Sequence, residues 1–141
     1  MKSDWKNESH VVLDACALIV FLNDEPGANV VATILKEVPS VEMSAVNLLE
    51  IAYDTIRTSG DSNAGRKMLD VVRQLPIKIH WHIDGEVFQY AAHLKASFRI
   101  SLADAFALAL AHTLSAAVAT SDHHEFDPLE SDGIARFIWI R

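Results

Sequence analysis

Four carboxylates, Asp14, Glu50, Asp104 and Asp122, stand where an α/β protein would place reactive groups. Asp14 follows the β-branched run Val11-Val12-Leu13, and Asp122 comes just after the strand-like stretch that ends at Thr120. Asp104 sits in a helix-like run of alanine and leucine, and Glu50 sits among Leu48, Leu49 and Ile51. A carboxylate on an apolar face is costly to bury unless it is paired or bound to a metal. Each acid alone has a structural reading, as a helix cap or as a charge favoured by the helix dipole. Gathered together they would repel by on the order of 4 kcal/mol per pair at ~4 Å and an effective dielectric of about 20. A cluster of that kind needs a cation or retained protons. Oxygen-only ligands favour Mg²⁺ or Mn²⁺. A hard cation held this way acidifies a water and clamps a phosphoryl oxygen, so the expected reaction is phosphodiester hydrolysis by metal-activated water.

The elements that must position these acids are marked by turn residues around 25–27, 39–40, 59–61, 76, 84–85 and 132–133. Between the marks, short β-branched runs predict strands over 11–13, 41–44, 77–81, 116–120 and 137–140. Helical spacing predicts helices over 15–23, 28–38, 45–58, 63–75, 85–98 and 101–114. In the last of these Ser101 takes the N-cap position and Asp104 the third helical position. No helix is expected between 121 and 136. Strands alternating with helices imply an α/β sandwich with a mainly parallel central sheet of about five strands. In such sheets sites form beyond the carboxyl ends of the strands. No repeat or low-complexity segment divides residues 1–141, which read as a single domain.

Composition narrows the function further. A net charge of −7 argues against a passive nucleic-acid coat but not against a metal-dependent nuclease, whose acids a cation would neutralise. The single cysteine, Cys16, excludes an internal disulfide and a cysteine zinc site, and it reads as a small buried hydrophobe. No apolar run approaches the ~18 residues of a membrane span, and the polar N-terminus lacks a secretory core, so the cytoplasm is expected.

Four segments carry a resemblance that spans nearly the whole chain: residues 12–19 (VLDACALI), 44–51 (SAVNLLEI), 101–106 (SLADAF) and 119–122 (ATSD). In order and spacing they resemble the PIN-domain nucleases, in particular the VapC-type toxins of toxin–antitoxin pairs. The resemblance implies a PIN-like three-layer α/β/α sandwich. It also implies that Asp14, Glu50, Asp104 and Asp122 bind the metal, with Thr120 or Ser121 as the hydroxyl beside the last acid. RNA as substrate, a homodimer and a small antitoxin covering the site follow from the same resemblance. The chain departs from the family after Asp122, where the run Asp122-His123-His124-Glu125-Phe126 is one residue longer than usual. Glu125 and Asp127 are therefore assigned as outer ligands.

The remaining polar residues carry weaker signals. His80 and His82 share a strand face, and His123 and His124 adjoin Asp122, but no zinc motif is present. His123 and His124 are candidate substrate contacts beside the site, as are Lys95 and Arg99 for phosphate. Trp5, Trp81 and Trp139 read as core or interface fillers. Three functional classes remain open: a toxin endoribonuclease, an RNA-processing or DNA-directed nuclease of the same fold, and a non-catalytic binding module that keeps its acids.

Overall fold

The computed structural model describes residues 5–141. After a 3-10 turn at Trp5–Asn7, the order is β1 (His10–Leu13), α1 (Ala15–Leu22), α2 (Ala28–Glu37), β2 (Ser40–Ser44), α3 (Ala45–Ser59) and α4 (Ala64–Val72). It continues with β3 (Lys78–His80), α5 (Gly85–Ser97), α6 (Leu102–Leu114), β4 (Ala117–Thr120), α7 (His123–Ser131) and β5 (Phe137–Trp139). The strands form one sheet in the order β3-β2-β1-β4-β5, and all four pairings are parallel.

Helices cover both faces of the sheet, as the period of two along each strand requires. Val11 and Leu13 of β1 point into a core shared with α1 and α2 through Ala17, Val31 and Ile34. Val12, between them, points the other way, into a core with Leu94 of α5, Leu108 of α6 and Phe126 of α7. Met43 of β2 packs with Leu18 of α1, Leu48 and Ile51 of α3 and Val72 of α4. This is the expected three-layer α/β/α sandwich. The chain runs outward from β1 to β2 and β3, then returns to β4 on the other side of β1. The β1–β4 junction is therefore the topological switch point, where a crevice opens beyond the strand ends.

Most predicted elements are present, with ends moved by a residue or two. The exception is α7, where no helix was expected. Pro128 lies inside it and Asp132-Gly133 closes it, so the local pattern favours a loop. Burial of Phe126 and Leu129 outweighs that preference, with the Phe126 ring 5.1 Å from that of Phe137. One glycine is demanded by close approach. Gly27, at φ +103°, begins α2, and a Cβ there would lie 2.5 Å from the Ile140 carbonyl oxygen.

Glu42 of β2 is buried among apolar strands, a feature the sequence reading did not single out. His10 Nδ1 lies 2.6 Å from one of its oxygens and His80 Nε2 2.9 Å from the other. The neighbouring strands thus supply the partners a buried carboxylate requires. Trp81, expected as filler, is 55 % exposed.

Candidate active site

The crevice at the switch point is built from helix starts. Asp14 leaves β1 and caps α1, its Oδ1 accepting the Ala17 N–H at 2.8 Å. Its Oδ2 accepts the Thr120 hydroxyl from the end of β4. Thr120 Oγ1 in turn accepts the Asp122 N–H at 3.0 Å. A threonine on the strand next to β1 thus couples the two acids that follow strands. Of the two hydroxyls the resemblance offered, Thr120 is the one that bonds both acids.

Asp122 caps α7 and accepts the Glu125 N–H at 3.1 Å. This Asp-x-x-Glu spacing was the legible signal for the missed helix. Glu125, in the third helical position, lines the crevice. Asp104 stands in the first turn of α6, its N–H given to Ser101 Oγ at 3.1 Å, as the capping pattern predicted. Glu50 comes from α3, and Asp54, four residues on and so on the same helix face, joins it. The i, i+4 spacing of Glu50 and Asp54 was legible in the sequence.

The result is a cavity of about 280 Å³ walled by six acids: Asp14, Glu50, Asp54, Asp104, Asp122 and Glu125. Among the described residues no lysine, arginine or histidine lines it. Burial pushes the fully enclosed Asp14 carboxyl up to about 7, against the two hydrogen bonds that favour its ionised form, with Asp104 and Asp122 adding repulsion. Asp104 is pushed up to about 6, by burial first and then by Asp122, Glu125 and Glu50, against its bond with Ser101. Glu50 is raised by burial and by Asp54 and Asp122. Cys16, expected as an inert core residue, is instead half-buried on the cavity wall. Burial and the surrounding acids push its thiol up to about 12, so it does not act as a thiolate.

Five other assigned residues fall outside the wall. Asp127 is exposed and bonds His123 at 2.9 Å. His123 stacks on Trp139 at 3.8 Å and bonds the Arg141 carbonyl, so it fastens the last strand. Its pKa is raised, first by that carbonyl and then by Asp127. His124 and Arg99 are exposed and line none of this cavity. Lys95 gives its ammonium to the Ile100 carbonyl at 2.8 Å, closing the α5–α6 turn. These placements share one cause: nearness in sequence to Asp122 or to α6 does not fix the side to which a residue projects.

The donor set suits a hard divalent cation: carboxylate oxygens, no cysteine thiolate and, among the described residues, no histidine, lysine or arginine on the wall. Among the described residues no group of three or more acids, histidines or cysteines is drawn tight enough to hold an ion as it stands.

A carboxylate-walled crevice at the switch point of a parallel sheet defines the class: an α/β protein organised around one acidic centre. The PIN domain family model matches residues 11–129, and the chain belongs to that family. No individually curated protein sequence matches it. Among solved structures, a toxin–antitoxin complex from Klebsiella pneumoniae is 15% identical with a TM-score of 0.66, over 93% of this chain and 98% of that one. VapBC2 from Rickettsia felis, bound to a promoter DNA fragment, is 17% identical with a TM-score of 0.68, over 91% and 96%. The Mycobacterium tuberculosis toxin VapC20, which cleaves the sarcin–ricin loop, is 13% identical with a TM-score of 0.60, over 77% and 86%. Likeness at such identity establishes the shared fold. No helix among the described residues is long and apolar enough to cross a membrane.

Proposed function

We propose that this protein is a Mg²⁺- or Mn²⁺-dependent endoribonuclease, the toxin of a toxin–antitoxin pair, which works in the cytoplasm as a homodimer held in check by a small antitoxin. The observation that carries the catalytic part is the wall of six acids, with no basic residue among the described residues, in which burial holds Asp14 at about 7 and Asp104 at about 6. A fold under no functional demand would not gather such charges around a cavity. Toxins and toxin–antitoxin complexes among the fold relatives support the toxin and antitoxin parts.

Asp14, Glu50, Asp104 and Asp122 would hold the cation, which would polarise a phosphoryl oxygen and acidify a water. Thr120 holds the Asp14 carboxylate in one rotamer, and the Asp122 N–H holds the Thr120 hydroxyl. Ser101 fixes the first turn of α6 and with it the approach of Asp104. Glu125, which lines the same cavity, would serve as an outer ligand or help to orient the water.

The test is cleavage of structured and single-stranded RNA, with single-stranded DNA as control, in Mg²⁺, Mn²⁺ or EDTA. Cleavage of RNA that EDTA stops, and that Asp14→Asn and Asp104→Asn each lower by at least about 100-fold, is expected. Cleavage that survives both substitutions refutes the site. Unimpaired growth of cells expressing the chain without its neighbouring gene refutes the toxin assignment.

A further inference from the structure

Asn47 occupies the third helical position of α3, in the run Ala45-Val46-Asn47-Leu48-Leu49, and it is wholly enclosed. Asparagine is a weak helix former, because its amide competes for backbone groups. Here the amide leaves its own helix: Nδ2 donates to the Ala103 carbonyl of α6 at 3.2 Å. The other half of the amide, Oδ1, is buried and has no donor among the described residues. Packing alone does not account for such a side chain. A buried acceptor without a donor destabilises the fold. The Ala103 carbonyl lies within α6, where the i→i+4 ladder supplies the Ala107 N–H, so it is satisfied without the asparagine. A residue that costs stability where it stands calls for another explanation.

Resting on the nuclease reading above, we propose that Asn47 is a positioning residue, whose bond to Ala103 sets the separation of Glu50 from Asp104. Glu50 lies three residues on from Asn47 along α3, and Asp104 directly follows Ala103. The bond therefore ties together the two helix starts that carry these acids. The helices are anchored in different apolar cores: α3 through Leu48 and Ile51 around Met43, α6 through Ala105 and Leu108 around Val12. No other side-chain hydrogen bond among the described residues joins α3 to α6. Glu50 and Asp104 carry like charge and repel, and the bond opposes that repulsion. Asn47 does not line the acid cavity, so it acts through the two acids and touches no substrate. Outer residues that hold ligands in this way change metal affinity about 10- to 100-fold when removed.

Asn47→Ala and Asn47→Leu both remove the amide; alanine leaves space and leucine fills it. Both are expected to melt within about 5 °C of the parent, because the orphaned oxygen goes with the lost bond. The Asp104 and Ala105 N–H groups close the first turn of α6 on Ser101. In EDTA their hydrogen exchange is expected to quicken about 10-fold relative to Val12 and Val118 of the central strands. Mn²⁺ binding by the whole protein, read by electron paramagnetic resonance, is expected to weaken at least about 10-fold. The Mn²⁺ needed for half-maximal RNA cleavage should rise by the same factor, with KM for RNA unchanged and kcat recovered at high Mn²⁺. Variants that melt lower, exchange first-turn and central amides in step and bind Mn²⁺ like the parent would show a packing role only and overturn the proposal. If first-turn exchange quickens while the parent itself neither binds Mn²⁺ nor cleaves RNA, the nuclease reading falls and the tie between the two acids stands.

Discussion

Asp14→Asn is expected to make the metal-free protein more stable at pH 8, while abolishing its activity. In the folded chain the Asp14 carboxyl is sealed from water and titrates at about 7, against its ordinary value of 3.8. Between those values the folded state holds a proton that the unfolded state has released. Stability must therefore fall as pH rises through this window, is undiminished below 3.8, and has lost the full amount above 7. A gap from 3.8 to about 7, at about 1.36 kcal/mol for each pH unit, sets a ceiling near 4 kcal/mol. Relaxation and water entry reduce it, so a gain of about 2–4 kcal/mol is expected for the asparagine, or roughly 5–15 °C in melting temperature for a domain of this size. Asparagine keeps an acceptor for the Ala17 N–H, so the α1 cap survives. The assay is thermal melting of parent and variant in EDTA from pH 4 to 8.5, repeated with millimolar Mg²⁺ or Mn²⁺. The two curves should converge near pH 4 and separate above pH 6. Metal should raise the parent's melting temperature more than the variant's, by mass action on the folded state. A variant less stable than the parent by the same margin at every pH would refute the reasoning, because the carboxylate would then be net stabilising.

Three further outcomes follow from the packing. Thr120→Val keeps the side-chain shape but removes the hydroxyl between Asp14 and the Asp122 N–H; it should cost about 1–3 kcal/mol in urea unfolding and lower RNA cleavage, with Thr120→Ser restoring much of both. Parent-like stability and cleavage in the valine variant would show that the bridge is idle. Phe126→Ala should cost about 3–5 kcal/mol, since this fully buried ring docks α7 on the sheet; a loss under about 1 kcal/mol would mean that α7 is not anchored there. Gly27→Ala should lose more than about 1 kcal/mol, from the left-handed backbone and the Ile140 carbonyl in its path, and a neutral result would contradict the close approach of the last strand to α2.

Strand and helix periodicity, the capping pattern at Ser101 and the odd placement of acids among apolar residues were all written locally. They sufficed for the α/β class, for all five strands, and for Asp14, Glu50, Asp104 and Asp122 as one group. These are short-range signals, because a helix or strand declares itself within a few residues. The bridge from Thr120 to Asp14 and Asp122, the entry of Asp54 and Glu125 into the wall, and the position of Asp127, His123 and Lys95 outside it were not readable in this way. Nor were the pairing of Glu42 with His10 and His80 and the existence of α7 against its own proline. Each of these depends on which strand lies next to which and on the side to which a helix turns a given residue. That is decided when apolar faces pack together over separations such as the 106 residues between Asp14 and Thr120. Residue identities and local periodicity therefore determined the kinds of chemistry available, and tertiary packing decided which side chains share one space.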